Sequence, residues 1–300
     1  MTHTGDAPPP VPATDLASPE LEPPSFDAAV PATLGAALGA AVGHIARAAA
    51  EPDGVEMVHD ARKGLKEYRA LLRLLESELA RAARHAAAEV ARGLAQARDA
   101  AAAQEALDLL DQSGVILLCD LQAARAVVGT PAALDAAPLR ARLMDFIADA
   151  RARLDGGLGA EAEGVDPVEG LRRSYRAARR GRFGDPLAMH ETRKRVVAHR
   201  YQMGFLAGAA AGRGATRARR AQRLRDLLGA HHDMEVLRRM LRDAAPPLEE
   251  GVVARLGVAM ARLQKRLKRR AEALHRTLFH ASSRHFARKW RRRLAAARAA

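Results

Sequence analysis

VHDARKGLKEYRALLRLL, Val58 to Leu75, is the stretch whose spacing decides the fold. Placed on a helix at roughly 100° per residue, His59, Arg62, Lys63, Lys66, Arg69 and Arg73 fall within an arc of about 120°. Leu65, Tyr68, Leu71, Leu72 and Leu75 gather on the opposite side. The segment is expected to be an amphipathic helix with one apolar face and one cationic stripe. A solvated helix usually alternates signs, because an acid four residues before a base adds a few tenths of a kcal/mol and like charges cost about as much. Asp60, Glu67 and Glu76 stand at the edges of the stripe, so Lys63, Lys66 and Arg73 are expected to lack an in-line acid. For one such segment alone, a solvated face and a binding face both stay open.

The pattern recurs. MHETRKRVVAHRYQMGFL, Met189 to Leu206, aligns His190 with His59, Arg193 with Arg62, Lys194 with Lys63 and Arg200 with Arg69. Some forty residues after the two copies come Arg98-Asp99 and His232-Asp233. The second stripe is thinner, with Val197 in the place of Lys66 and Gly204 in that of Arg73. GLRRSYRAARRGR, just upstream, supplies Arg172, Arg173, Arg176, Arg179 and Arg180 to the same half.

Composition agrees with helices. Of 300 residues 48% are hydrophobic, much of that alanine, and 3% are aromatic, which suits close helix packing and not sheets of β-branched and aromatic side chains. The formal charge is +14, yet the first 27 residues hold five acids and no Lys or Arg, so residues 28–300 carry +19. A surplus of that size points to a polyanion: nucleic acid, an anionic membrane surface or a phosphate polymer. Cys119, the one cysteine, lies in the apolar run VILLCDL. It excludes an internal disulfide and a thiolate metal cluster, and is expected to be a buried thiol in a reducing compartment. Neither a secretion signal nor a run of about twenty apolar residues is present, so a cytoplasmic protein is expected. Residues 1–29, acidic and proline-rich, read as a disordered tail.

Helical periodicity is nearly continuous from about Pro31, punctuated at Pro52-Asp53-Gly54, Ser113-Gly114, Gly129-Thr130-Pro131, Gly156-Gly157, Gly184-Asp185-Pro186, Gly212-Arg213-Gly214 and Pro246-Pro247. LDGGLGAEAEGVDP, Leu154 to Pro167, is rich in glycine and poor in cations, and divides the body into halves at 30–155 and 156–300.

The paired H-x-x-R-K helices, a Tyr-Arg-x-x-Arg segment (Tyr175, Arg176, Arg179) and an L-L-G-x-x-x-D element (Leu227 to Asp233) resemble the CHAD domain, the conserved histidine α-helical domain, over roughly residues 30 to 295. The resemblance implies an all-α protein of two four-helix bundles related by a pseudo-twofold axis, with a basic central groove or pore that binds inorganic polyphosphate. Its expected lining is His59, Arg62, Lys63, Lys66, Arg69, Arg73, Tyr175, Arg176, Arg179, His190, Arg193, Lys194 and Arg200. Arg266 and Arg270, four apart in QKRLKRRAEALHR, are added as a pair facing the groove. The family further implies noncatalytic binding, no cofactor, association with polyphosphate granules, and polyphosphate-metabolising enzymes or granule proteins as further partners. Polyphosphate carries about one charge per phosphate and no bases, so a Lys and Arg track without stacking platforms suits it.

Three other readings stay open. An accessory or regulatory subunit of a polyphosphate- or triphosphate-metabolising enzyme fits the same surface. A phosphohydrolase would need clustered carboxylates for a metal, such as an alternating E-x-E-x-K strand, which is missing from the sequence. For a nucleic-acid binder the charge speaks and the scarcity of aromatics speaks against, which leaves nucleic acid as a nonspecific competitor. His59 and His190 read either as capping or core histidines or as phosphate-facing groups. His231-His232-Asp233 lacks evident partner ligands, and no metal is expected. Asp99 and Asp233 are expected to orient cations or to bond to backbone.

Overall fold

The computed structural model describes residues 33–94, 99–129, 134–207 and 213–299; the tail expected at 1–29 and the turn at Thr130-Pro131 lie outside them. The described residues are mostly helical and contain no strand, so the all-α expectation holds. The order is α1 (Leu34–Ala50), α2 (Gly54–Leu72), α3 (Glu78–Gly93), α4 (Asp99–Gln112), α5 (Leu118–Val128), α6 (Ala136–Arg153), a π turn (Leu154–Leu158), α7 (Gly159–Gly164), α8 (Pro167–Arg179), α9 (Pro186–Phe205), α10 (Arg213–Arg242), α11 (Glu250–Leu278) and α12 (Ser283–Ala299).

The caps explain the punctuation. Asp53 accepts hydrogen bonds from the amides of Val55 and Glu56, and Asp185 from that of Ala188, with Pro186 in the first turn of α9. Two breaks among the described residues carry no Gly or Pro: α2 ends at Leu72 and Ser77 caps α3 by accepting from Ala80, and α11 ends at Leu278 before Ser282, which accepts from the amide of His285 in α12. The glycine-rich boundary stays helical, with a kink at Gly156 and Gly157, whose φ of 118° only glycine adopts readily.

Two buried cores hold the molecule together, and neither stops at the kink. The larger one joins α1, α2, α3 and α6 to α8, α9, α12, the first half of α10 and the end of α11. The smaller is a four-helix packing of α4 and α5 against the second half of α10 and the first half of α11, around Leu107, Leu110, Leu121, Leu237, Leu256 and Leu263. The α4–α5 hairpin of the first half thus completes its core with the second half. Within it Asp120, 1% exposed, accepts two bonds of 2.8 Å from Arg255. Cys119 corrects the sequence reading: it is exposed at the start of α5, because the helical repeat turns Leu121 inward and leaves Cys119, Leu117 and Leu118 outside.

Close helix approach depends on small residues. A Cβ on Gly170 of α8 would overlap the backbone carbonyl of Leu74, whereas one on Gly39 of α1 meets nothing within 4 Å. Gly170→Ala should therefore lower stability by about 1–3 kcal/mol. Gly39→Ala, in a mid-helix exposed position, should raise it by about 0.5–1 kcal/mol. Urea midpoints of the two variants check this pair of opposite signs.

Candidate polyanion-binding site

Helix α2 buries Met57, Ala61, Leu65, Tyr68 and Leu72, and its outer face carries the stripe. His59 and Lys63 are exposed there, while Arg62, Lys66 and Arg69 are half-buried. Arg62 donates to the Leu94 carbonyl at 2.8 Å, tying α2 to the end of α3. Lys63, expected to lack an in-line acid, is paired with Asp60 at 2.9 Å, because three residues is also a same-face spacing.

The other end of the stripe meets cations from three more helices. Arg69 feels the charges of Arg73 and of Arg92 on α3, Arg73 that of Arg195 on α9, and Arg84 of α3 those of Arg73 and of Arg173 on α8. Burial, then the charges of Arg73 and Arg92, lowers the Arg69 pKa; burial, then Arg73, Arg81 and Arg173, lowers that of Arg84. Arg73, whose side chain remains accessible to solvent, is lowered first by partial desolvation among its neighbours and then by Arg195, with Glu191 opposing. The adjacent carboxylates are already engaged, Glu191 with Lys194 at 2.7 Å and Glu76 with Arg173 at 2.8 Å. Arg69, Arg73 and Arg84 nonetheless stay charged at neutral pH. Each raises the cost of its neighbours, and a polyanion would relieve that cost while accepting bidentate hydrogen bonds.

On α9, His190 is half-buried with its ring 4.8 Å from that of His232. The Arg193 guanidinium lies over Gly229 of the L-L-G element, close enough that a Cβ there would stand 3.5 Å from it, in ordinary contact. Lys194 is exposed, and Arg200 stacks on the Tyr201 ring at 4.5 Å. Burial, then Lys194 and Arg193, holds the His190 pKa below its ordinary value, against Glu191.

Tyr175 does not belong to a ligand-facing set. It is fully buried, donates to the Ala281 carbonyl at 3.0 Å, and stacks on Phe286 at 4.0 Å, so it fixes α12 against α8. Its neighbours Arg176 and Arg179 are exposed. Arg179 lines an open cavity of about 530 Å³ with Phe183, Lys268, Glu272, His275 and Arg276. Arg266 and Arg270 sit on the far flank of α11, about 160° around the helix from Lys268, and do not join that cavity. The stripe reading missed Arg84, Arg92 and Arg195. Arg195 stands where Gly64 stands in the first copy, so matching the repeats passes over it. The α3 arginines belong to a helix whose docking no local pattern records.

Among the described residues no group of three or more His, Cys, Asp or Glu could hold a metal ion, and no helix is long and apolar enough to cross a membrane. The Asp99 side chain lies outside the described residues. The described residues thus form an all-helical protein with cations from α2, α3, α8 and α9 at one end of the α2 stripe. The family model of the CHAD domain matches residues 32–242, and the chain belongs to that family, which is associated with polyphosphate and triphosphate binding. The match ends with α10, so α11 and α12, including Arg266 and Arg270, lie beyond it. Neither curated proteins nor solved structures gave a match.

Four histidines set an acid limit on the fold. His190, His199, His231 and His275 all have pKa values lowered mainly by burial, and His199 accepts a 2.8 Å bond from Arg217 Nε. The unfolded chain takes up protons near pH 6.5 that the folded chain refuses, so stability is full above that pH and falls below it. Each fully withheld proton costs about 1.4 kcal/mol per pH unit. Melting temperatures from pH 7.5 to 5 at fixed ionic strength should fall on the acid side, and less steeply in His199→Gln.

Proposed function

We propose that this chain binds inorganic polyphosphate without hydrolysing it, and is carried by that binding to polyphosphate granules in the cytoplasm. One observation carries the reading: guanidiniums of α2, α3, α8 and α9, from both halves of the chain, repel one another pairwise, and the nearby carboxylates Glu76 and Glu191 pair only with Arg173 and Lys194 among them. A thin, flexible chain of phosphates can reach half-buried Arg69, Arg84 and Arg173 and still contact exposed Arg73, Arg195 and Lys194. Arg supplies the planar fork and Lys the mobile point charge. Membership of the CHAD family supports this ligand. The noncatalytic part rests on the sequence, which has no alternating E-x-E-x-K strand to hold a metal.

Arg73→Gln with Arg195→Gln should weaken binding of long polyphosphate by at least about tenfold, since a hydrogen bond to a charged group contributes about 1.5–3 kcal/mol. The double variant should melt at the same temperature or higher, because it removes repulsion. Arg291→Gln with Arg292→Gln, on α12, should change affinity far less. Equal losses at the two pairs would mean diffuse attraction and no defined site. Incubation with polyphosphate and Mg²⁺ or Mn²⁺ should release no phosphate; release that follows the protein through purification would replace this reading with an enzymatic one.

A further inference from the structure

Formal charge is unevenly divided along this chain. Residues 1–250 contain 34 Lys and Arg against 34 Asp and Glu, and the whole +14 resides in residues 251–300, where 15 bases face one acid, Glu272. That segment lies beyond the family match at 32–242, so the arginine cluster and this surplus are separate features. On α11, Arg262, Lys265, Arg269 and Arg276 are all exposed and fall within about 60° of arc over about 21 Å. The opposite face, with Leu263, Leu267 and Ala271, is buried. Like charges stand four apart at Arg262 and Arg266, at Lys265 and Arg269, and at Arg266 and Arg270. Each such pair weakens the helix, where a merely solvated face would alternate signs.

Accessibility separates the ligand classes. In α12, Phe286 and Trp290 are buried, so they offer neither a stacking platform for single strands nor a wedge for a membrane. A rigid duplex cannot thread among four helices to half-buried guanidiniums, but it can lie along cations that are exposed on one face of a single helix, as those of α11 are. Over 21 Å of its axis a duplex presents about 12 phosphate charges.

We propose that the exposed face of α11 is a second polyanion surface, which takes the phosphate backbone of duplex nucleic acid and is distinct from the arginine cluster. Binding there is independent of sequence, because the face offers charge and no element shaped to read base edges. The surface does not depend on the polyphosphate reading, and the two are measured by separate ligands.

The test uses the full chain and a fluorescent duplex of about 30 base pairs, titrated from about 50 to 200 mM salt. Arg262→Ala, Lys265→Ala and Arg269→Ala together should weaken duplex binding by about tenfold or more and reduce the slope of log affinity against log salt by about 3. The triple variant should keep its affinity for long polyphosphate and its melting temperature. Arg262→Lys with Arg269→Lys should keep duplex affinity within about twofold, since charge is what the backbone meets. Arg73→Gln with Arg195→Gln should leave duplex binding unchanged. The proposal is overturned if the wild-type chain binds no duplex, if the triple variant binds it as well as wild type, or if the triple variant loses polyphosphate and retains duplex. Capture of anionic vesicles by this face without capture of duplex would overturn it as well.

Discussion

The packing of α2 against α9 is the constraint on which the site depends. Gln202, fully buried on α9, donates to the Ala70 carbonyl of α2 at 2.9 Å and is 3.0 Å from the Ser174 hydroxyl of α8. A buried amide left without such partners costs more than an ordinary hydrogen bond returns, so this contact fixes how the two helices meet. Aligning the repeats places Gln202 opposite Leu71, so neighbouring positions of the two copies touch. With that seam closed by buried side chains, the long cations of α2, α8 and α9 lie at its edge, where α3 adds its own.

Charge crowding of this kind opposes folding, and the cores must outweigh it. They do so through small side chains and shared helices. Both α10, of 30 residues, and α11, of 29, contribute one half to the larger core and the other to the smaller. Displacing either helix would disturb both cores, which keeps the cationic faces in register with one another. Arg217 shows how far the fold tolerates buried charge. Its guanidinium lies 5.1–5.7 Å from the rings of Tyr175, Phe279 and Phe286 and donates to the Leu278 carbonyl at 2.5 Å. Burial pushes its pKa down to about 10, so it remains a cation at neutral pH, held by ring faces and a carbonyl.

The sequence by itself determined the helices, their caps and the repeat, because a period of 3.6 residues and the chemistry of Asp, Ser, Pro and Gly at helix ends are local properties. It also determined the family, through H-x-x-R-K, Tyr-Arg-x-x-Arg and L-L-G-x-x-x-D in order. Only the tertiary structure decided which cations meet. Arg84, Arg92 and Arg195 join Arg69 and Arg73, Tyr175 turns into the core, Cys119 turns out of it, and α4–α5 completes its core with α10 and α11. Periodicity assigns a residue to a face of its own helix. Which faces come together is settled by apolar packing among segments far apart in the chain, and no local spacing records it.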